Sequence, residues 1–200
     1  DLAPYGIGTM GKDAYAFVDF LVRAGQRYWQ ILPLTPTGYG DSPYQSLGAC
    51  AGNHYLIDLD TLVDEGLLKK EEIQDISWGN NPKRVDFGAM YAHRMNVLRL
   101  AFQRFAPDEA YETFVEQNRS WLEDYALFTA LKDTLGGKPW LDWPEALRLR
   151  KADALTEKRR ELSGEIRLQY FVQYEFDRQW KALRSYANAK GVRIIGDVPI

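Results

Sequence analysis

The sequence predicts an α/β fold. Two short apolar runs rich in β-formers, RYWQILPL at residues 27–34 and VRIIGDVPI at 192–200, each follow a helical pattern closed by a glycine. A long, mostly helical stretch separates them. Helix feeding strand, repeated, is the pattern of a parallel sheet with crossover helices. An open doubly wound sheet and a barrel both fit it.

The elements follow in order. Residues 12–24 read as a helix, with Phe17, Phe20, Leu21 and Ala24 on one face and Gly25 as the stop. Residues 27–34 then read as a buried strand, ended by Pro33 and Pro36. The acidic segment DLDTLVDEGLLKKEEI predicts short helices. Residues 91–105 carry Val97, Leu98, Leu100, Ala101 and Phe105 at helical spacing, and 120–133 carry Trp121, Leu122, Tyr125, Ala126 and Leu131. The segment KPWLDWPEAL gives two tryptophans around a proline-bounded turn. Residues 154–190 are mostly helix, with Val172, Phe176, Trp180, Leu183 and Ala187 as an apolar stripe, and Gly191 precedes a second buried strand. The resulting division is 1–60 with the loop 38–53, a helical insertion at 61–160, and a helix and strand at 161–200.

Composition limits the function. An apolar fraction of 46% and a charged fraction of 26% are those of a globular protein, and the formal net charge of −3 argues against a nucleic-acid binder. The basic residues from Arg148 to Arg160 are interleaved with Asp153, Glu157 and Glu161, as on a solvated helix face. A single cysteine excludes a disulfide within the chain and favours a reducing, cytoplasmic compartment. No run approaches the roughly 20 apolar residues of a membrane span. The chain opens in a turn-like segment without Met and ends, at Ile200, inside a strand pattern, so a piece of a longer enzyme is expected.

The segment GYGDSPYQSLGACAGN, residues 38–53, leaves the first strand at the end where α/β proteins place binding loops. Gly38 and Gly40 admit unusual backbone angles and Pro43 stiffens the turn. Tyr39, Asp41, Ser42, Tyr44, Gln45 and Ser46 are then displayed on a constrained loop. Aromatic plates beside hydroxyl, amide and carboxylate groups suit a sugar, whose ring has an apolar C–H face and a polar rim. An ordered turn with surface tyrosines is the competing reading. No phosphate-binding spacing is present. His54 and His93 belong to no ligand cluster and read as structural or surface residues, so no metal is expected. Cys50 reads as a small buried filler.

The run RYWQILPLTPTGYGDSPYQSLGACAGNHYLIDL resembles the amylomaltase family, the 4-alpha-glucanotransferases or disproportionating enzymes. PYGIG, SWLEDYALFTALK, GGKPWLDWP, the QW of FDRQWKAL and GVRIIGDVPI resemble it too, in the same order along essentially the whole chain. The resemblance implies part of a TIM (β/α)8 barrel of the alpha-amylase type, with a helical insertion between barrel strands. It implies transfer of a 1,4-alpha-glucan segment to an acceptor glucose or glucan by a retaining double displacement, with no cofactor, nucleic acid or membrane partner. The family's three carboxylates fall on later strands. No catalytic residue is therefore expected in this chain: the carboxylates are expected beyond Ile200, and the opening barrel strand before Asp1.

By the same resemblance Ser42 and Tyr44 contact the glucose beside the scissile bond, with Tyr44 stacking on it. Asp41 and Gln45 support that network, and Tyr39 corresponds to a tyrosine of a secondary glucan-binding surface. Asp41 as a turn cap and Gln45 as a backbone tie are the structural alternatives. Asp197, at the end of the second strand, is a further candidate, against a buried Asp bonded to backbone or an arginine. Trp140 and Trp143 are sugar platforms or, as the favoured reading, packing residues. His54 stands where relatives often have proline, and it is expected to affect only loop stiffness. A related glucan hydrolase and a non-enzymatic glucan-binding module are the competing functions.

Overall fold

The computed structural model describes residues 4–38, 40–81 and 83–198. Helix α1 spans Lys12–Arg23 and strand β1 Tyr28–Gln30. Helices α2 (Leu59–Asp64), α3 (Phe87–Arg104) and α4 (Glu109–Thr134) follow. Helices α5 (Glu145–Arg148), α6 (Ala152–Glu161) and α7 (Ser163–Ala189) lead to strand β2, Arg193–Ile195. The described residues are therefore mostly helical, with one two-stranded parallel sheet. None of these helices is long and apolar enough to cross a membrane.

Each strand is entered through a left-handed glycine, the conformation that costs a residue without a side chain least. Gly25 (φ +70°) ends α1, and Gln26 N–H reaches back to Leu21 C=O at 2.9 Å. Gly191 (φ +80°) ends α7, and Val192 N–H reaches Ala187 C=O at 2.9 Å. The strands pair Tyr28 with Arg193, Trp29 with Ile194 and Gln30 with Ile195. The ladder continues through Ile31 N–H to Ile195 C=O at 3.0 Å.

Four expectations are corrected here. The strands are shorter than the apolar runs. The second was expected to run on to the end of the chain, but β2 closes at Ile195, and Ile200 lies outside the described residues, as does Asp1. Nor are the strands buried: only Trp29 and Ile194 are even half-covered. A sheet of two strands leaves both outer edges unpaired and most side chains in water. On α1 the buried residues are Val18 and Leu21, while Phe17 and Phe20 are exposed. Cys50 is exposed rather than buried.

The chain divides into two compact units, one of residues 1–106 with 175–200 and one of residues 107–174. The sequence pattern suggests breaks after 60 and 160 instead. In the first unit Ile57, Leu59, Leu62, Ile73, Met90 and Leu98 form part of a fully buried core. Asp58 ties it together. Its carboxylate accepts from Thr61 N–H at 2.8 Å to cap α2 and from Thr9 Oγ1 at 2.6 Å. Its own N–H donates to Gln179 Oε1 of α7 at 2.7 Å. In the second unit, Leu127, Leu131, Trp143, Leu147 and Leu155 pack as one cluster.

Candidate active-site loop

Chemistry-bearing residues gather on the loop between β1 and the turn at 54–56. Backbone hydrogen bonds hold its shape. An isolated antiparallel bridge joins Thr37 to Ser46, and Gly38 N–H donates to Gln45 C=O at 3.1 Å. Inside that closure, Asp41 N–H donates to Gly38 C=O at 3.1 Å and Gln45 N–H to Ser42 C=O at 3.2 Å, making two successive turns. The chain reverses through Gly40 (φ +91°) and Asp41 (φ +58°), where Asp is among the few side chains that tolerate a left-handed backbone. Thr35 Oγ1 donates to Pro43 C=O at 3.2 Å, and Asn53 N–H to Leu34 C=O at 2.7 Å, pinning the loop back on the strand exit.

That framework sets the side chains. Ser42 is half-buried, and its Oγ accepts from Tyr44 N–H at 3.3 Å, leaving the hydroxyl proton to donate elsewhere. Tyr44 is 42% exposed, so much of its ring is open to a ligand. Its Oη donates to Asp197 Oδ2 at 2.7 Å. Asp197 is exposed, and its other oxygen accepts from Val198 N–H at 2.8 Å. Of the alternative, a buried Asp197 bonded to backbone or an arginine, only the backbone bond is found: the residue is exposed, and its other partner is a tyrosine. The hydrogen bond to Asp197 also raises the Tyr44 pKa above its ordinary value, so the phenol stays a neutral donor.

Tyr44 follows β1 and Asp197 follows β2, 153 residues apart, and the parallel pairing of the two strands brings both loops to one edge. Two sequence candidates therefore meet in space. Asp41 and Gln45 are exposed, and neither side chain makes a hydrogen bond among the described residues. Tyr39 lies outside the described residues. So does Ile200, the residue beyond which the catalytic carboxylates are expected. Among the described residues no group of His, Cys, Asp and Glu is arranged to hold a metal ion.

Sequence reading missed the support beneath the loop. Arg94 of α3 is fully buried. It donates through Nη2 to Tyr55 C=O at 3.0 Å and through Nη1 to Ile57 C=O at 3.4 Å, fixing the backbone just past the loop. Its guanidinium lies 5.2 Å from the Trp78 ring centre, and burial lowers its pKa to about 10. An arginine in register with the buried Met90, Val97, Leu98 and Ala101 was the available signal. His54 opens the turn His54–Leu56, whose preceding Asn53 accepts from Tyr55 N–H at 3.0 Å. Burial and the nearby Arg94 charge hold the His54 pKa down at about 3, so the imidazole is neutral.

Comparison with known proteins extends over the same residues. The family model described as 4-alpha-glucanotransferase matches residues 3–200. The 4-alpha-glucanotransferase of Thermus thermophilus is 49% identical over 203 residues, covering 98% of this chain and 40% of that protein. That of Clostridium butyricum is 46% identical over 198 residues, covering 98% of this chain and 41% of that protein. In three dimensions the chain is similar to the amylomaltase of Streptococcus agalactiae, solved in complex with acarbose. The TM-score is 0.94 at 44% identity, over 98% of this chain and 41% of that one. The chain thus spans about two fifths of the length of the relatives it matches.

Proposed function

This chain belongs to the 4-alpha-glucanotransferase family, and from that membership we propose that it supplies the donor-sugar side of a site transferring 1,4-alpha-glucan segments. The acceptor is the 4-hydroxyl of glucose or of another maltooligosaccharide, and the reaction proceeds by retaining double displacement. A carboxylate attacks the anomeric carbon while an acid protonates the departing glycosidic oxygen. The acceptor hydroxyl then displaces the carboxylate and gives its proton to the conjugate base. We assign these carboxylates to a part of the enzyme beyond Ile200, on further strands that complete a (β/α)8 barrel of the alpha-amylase type. In that arrangement residues 1–60 and 161–200 belong to the barrel and 61–160 to the helical insertion. The compartment is cytoplasmic, and neither cofactor nor metal is required.

The observation that carries this reading is the 2.7 Å hydrogen bond from Tyr44 Oη to Asp197. It ties an aromatic ring to the edge where two adjacent parallel strands end, the edge on which α/β proteins bind ligands. A ring fixed by its hydroxyl presents its π-face to the C–H face of a glucose. Ser42 and the remaining lone pairs of Asp197 face sugar hydroxyls, with Asp41 and Gln45 extending the polar rim and Tyr39 part of a second contact with the glucan. Pinning by Thr35 and Asn53 means that little loop entropy remains to be lost when sugar binds.

The test uses an enzyme of the relatives' length that contains this chain. Tyr44→Ala lowers transfer from maltotriose by about a hundredfold in kcat/KM, because alignment at the reacting sugar counts most in the transition state. Tyr44→Phe keeps the ring but frees it from Asp197, and falls between wild type and Tyr44→Ala. Unchanged turnover in Tyr44→Ala, with a native circular-dichroism spectrum, removes Tyr44 from the site. Products settle the competing chemistry, since a transferase makes oligomers longer than maltotriose and a hydrolase only shorter ones.

A further inference from the structure

The second unit holds an open cavity of about 310 Å³, lined by no residue of the loop 34–53. That volume is at the lower end of the roughly 300–1,000 Å³ of small-ligand clefts. Its floor is apolar, with Phe128, Leu131, Trp143 and Leu155 among the lining residues. Its rim carries Trp140, Asp124, Arg148 and Arg150.

The two tryptophans of KPWLDWP do different things. Trp143 is buried, donates Nε1–H to Lys138 C=O at 3.1 Å and packs against Phe128 at 5.3 Å between ring centres. It is a packing residue. Trp140 is 51% exposed, and its indole makes neither a ring contact nor a hydrogen bond among the described residues. The segment bearing it is nonetheless held. Lys132 Nζ donates to Gly137 C=O at 2.8 Å and to Lys138 C=O at 3.2 Å, and the turn Trp140–Asp142 follows directly. A large ring left open on a fixed segment is pre-organised for stacking.

The polar rim narrows the ligand class. Arg150 Nη2 donates to both Asp124 oxygens at 2.9 Å, and Arg159 lies 3.7 Å from one of them. The carboxylate is therefore already balanced and seeks no cation. Arg148 has no hydrogen-bond or ion-pair partner among the described residues, and so offers its donors to a ligand. With the carboxylate already occupied by Arg150 and Arg159, the planar donors of Arg148 beside an open indole suit a ring that offers hydroxyl oxygens along its edge and an apolar face. We propose that this cavity binds a 1,4-alpha-glucan chain, with one glucose stacked on Trp140 and its hydroxyls bonded to Arg148 and the free lone pairs of Asp124. It holds long glucans at a place other than the loop of Tyr44. The proposal rests on the glucan specificity proposed above.

The experiment is affinity electrophoresis in gels containing amylose, paired with maltotriose turnover, on the enzyme that contains this chain. Trp140→Ala is expected to weaken amylose retention about tenfold, Trp140→Phe less, and Arg148→Ala about threefold. kcat/KM on maltotriose stays at the wild-type value in all three, because that substrate is too short to need the second contact. Unchanged retention in Trp140→Ala and Arg148→Ala overturns the proposal. So does a parallel fall in maltotriose turnover, which would put Trp140 in the reaction cleft. A wild-type dimer in sedimentation that dissociates in Trp140→Ala also overturns it, since the surface would then dock another copy. Arg148 is a rim residue, so its variant keeps the test open if Trp140→Ala fails to fold. Wild-type enzyme that makes no longer oligomers from maltotriose defeats the transferase reading; normal turnover with unaltered retention defeats this inference alone.

Discussion

At His54 an imidazole is held neutral well below the pH at which a free histidine charges. Burial comes first and the Arg94 guanidinium second, and together they move its pKa from 6.5 to about 3. An unfolded chain takes up the proton near pH 6.5. Between about pH 6.5 and 3 the unfolded state therefore binds a proton that the native state refuses, and stability falls as pH is lowered through that window. Above about 6.5 the residue has no pH effect. Urea midpoints compared between wild type and His54→Gln should converge with falling pH, since the variant lacks this component. Equal slopes for the two proteins would mean that native His54 charges freely. A native His54 that refuses the proton would give the residue a role beyond the loop stiffness its position suggested.

Among the elements, the loop 34–53 and helix α7 meet in close contact at Gly52 and Phe176. A Cβ built on Gly52 would lie 2.0–2.4 Å from ring atoms of Phe176. That ring is buried at 8% exposure and has little room to withdraw. Gly52→Ala is therefore expected to destabilise the protein by about 1–3 kcal/mol, the usual cost of overpacking. Denaturant unfolding measures it, and the double variant Gly52→Ala with Phe176→Leu should recover part of the loss. A single variant as stable as wild type would show that the helix yields freely. The same close approach lets the loop end directly on α7, where Gln179 also holds Asp58.

On the scale of the whole molecule, the described residues form a sheet of two largely exposed strands, and the chain spans about two fifths of its relatives' length. The residues proposed to act here bind and orient sugar; the attacking carboxylate and the acid are assigned beyond Ile200. The 200-residue chain by itself is therefore expected to leave maltotriose unchanged in prolonged incubation followed by chromatography of the products. Formation of glucose and longer maltodextrins by the chain alone would relocate the carboxylates to residues within it.

Local pattern was enough for the order of helices, for the two strands and for the glycines that end α1 and α7, because those depend on spacing and backbone freedom along the chain. The motif series was enough for the family. Burial was less legible. Apolar strands read as buried, and Cys50 likewise, because apolarity states what a residue tolerates while the neighbours present determine what covers it. Partnership across the chain was not legible at all. The bond of Tyr44 to Asp197, the grip of Arg94 on the backbone beyond the loop, and the division of labour between Trp140 and Trp143 join or separate residues by geometry that no spacing encodes. They arise only when parallel strands bring two loops to one edge and helices close over a buried charge.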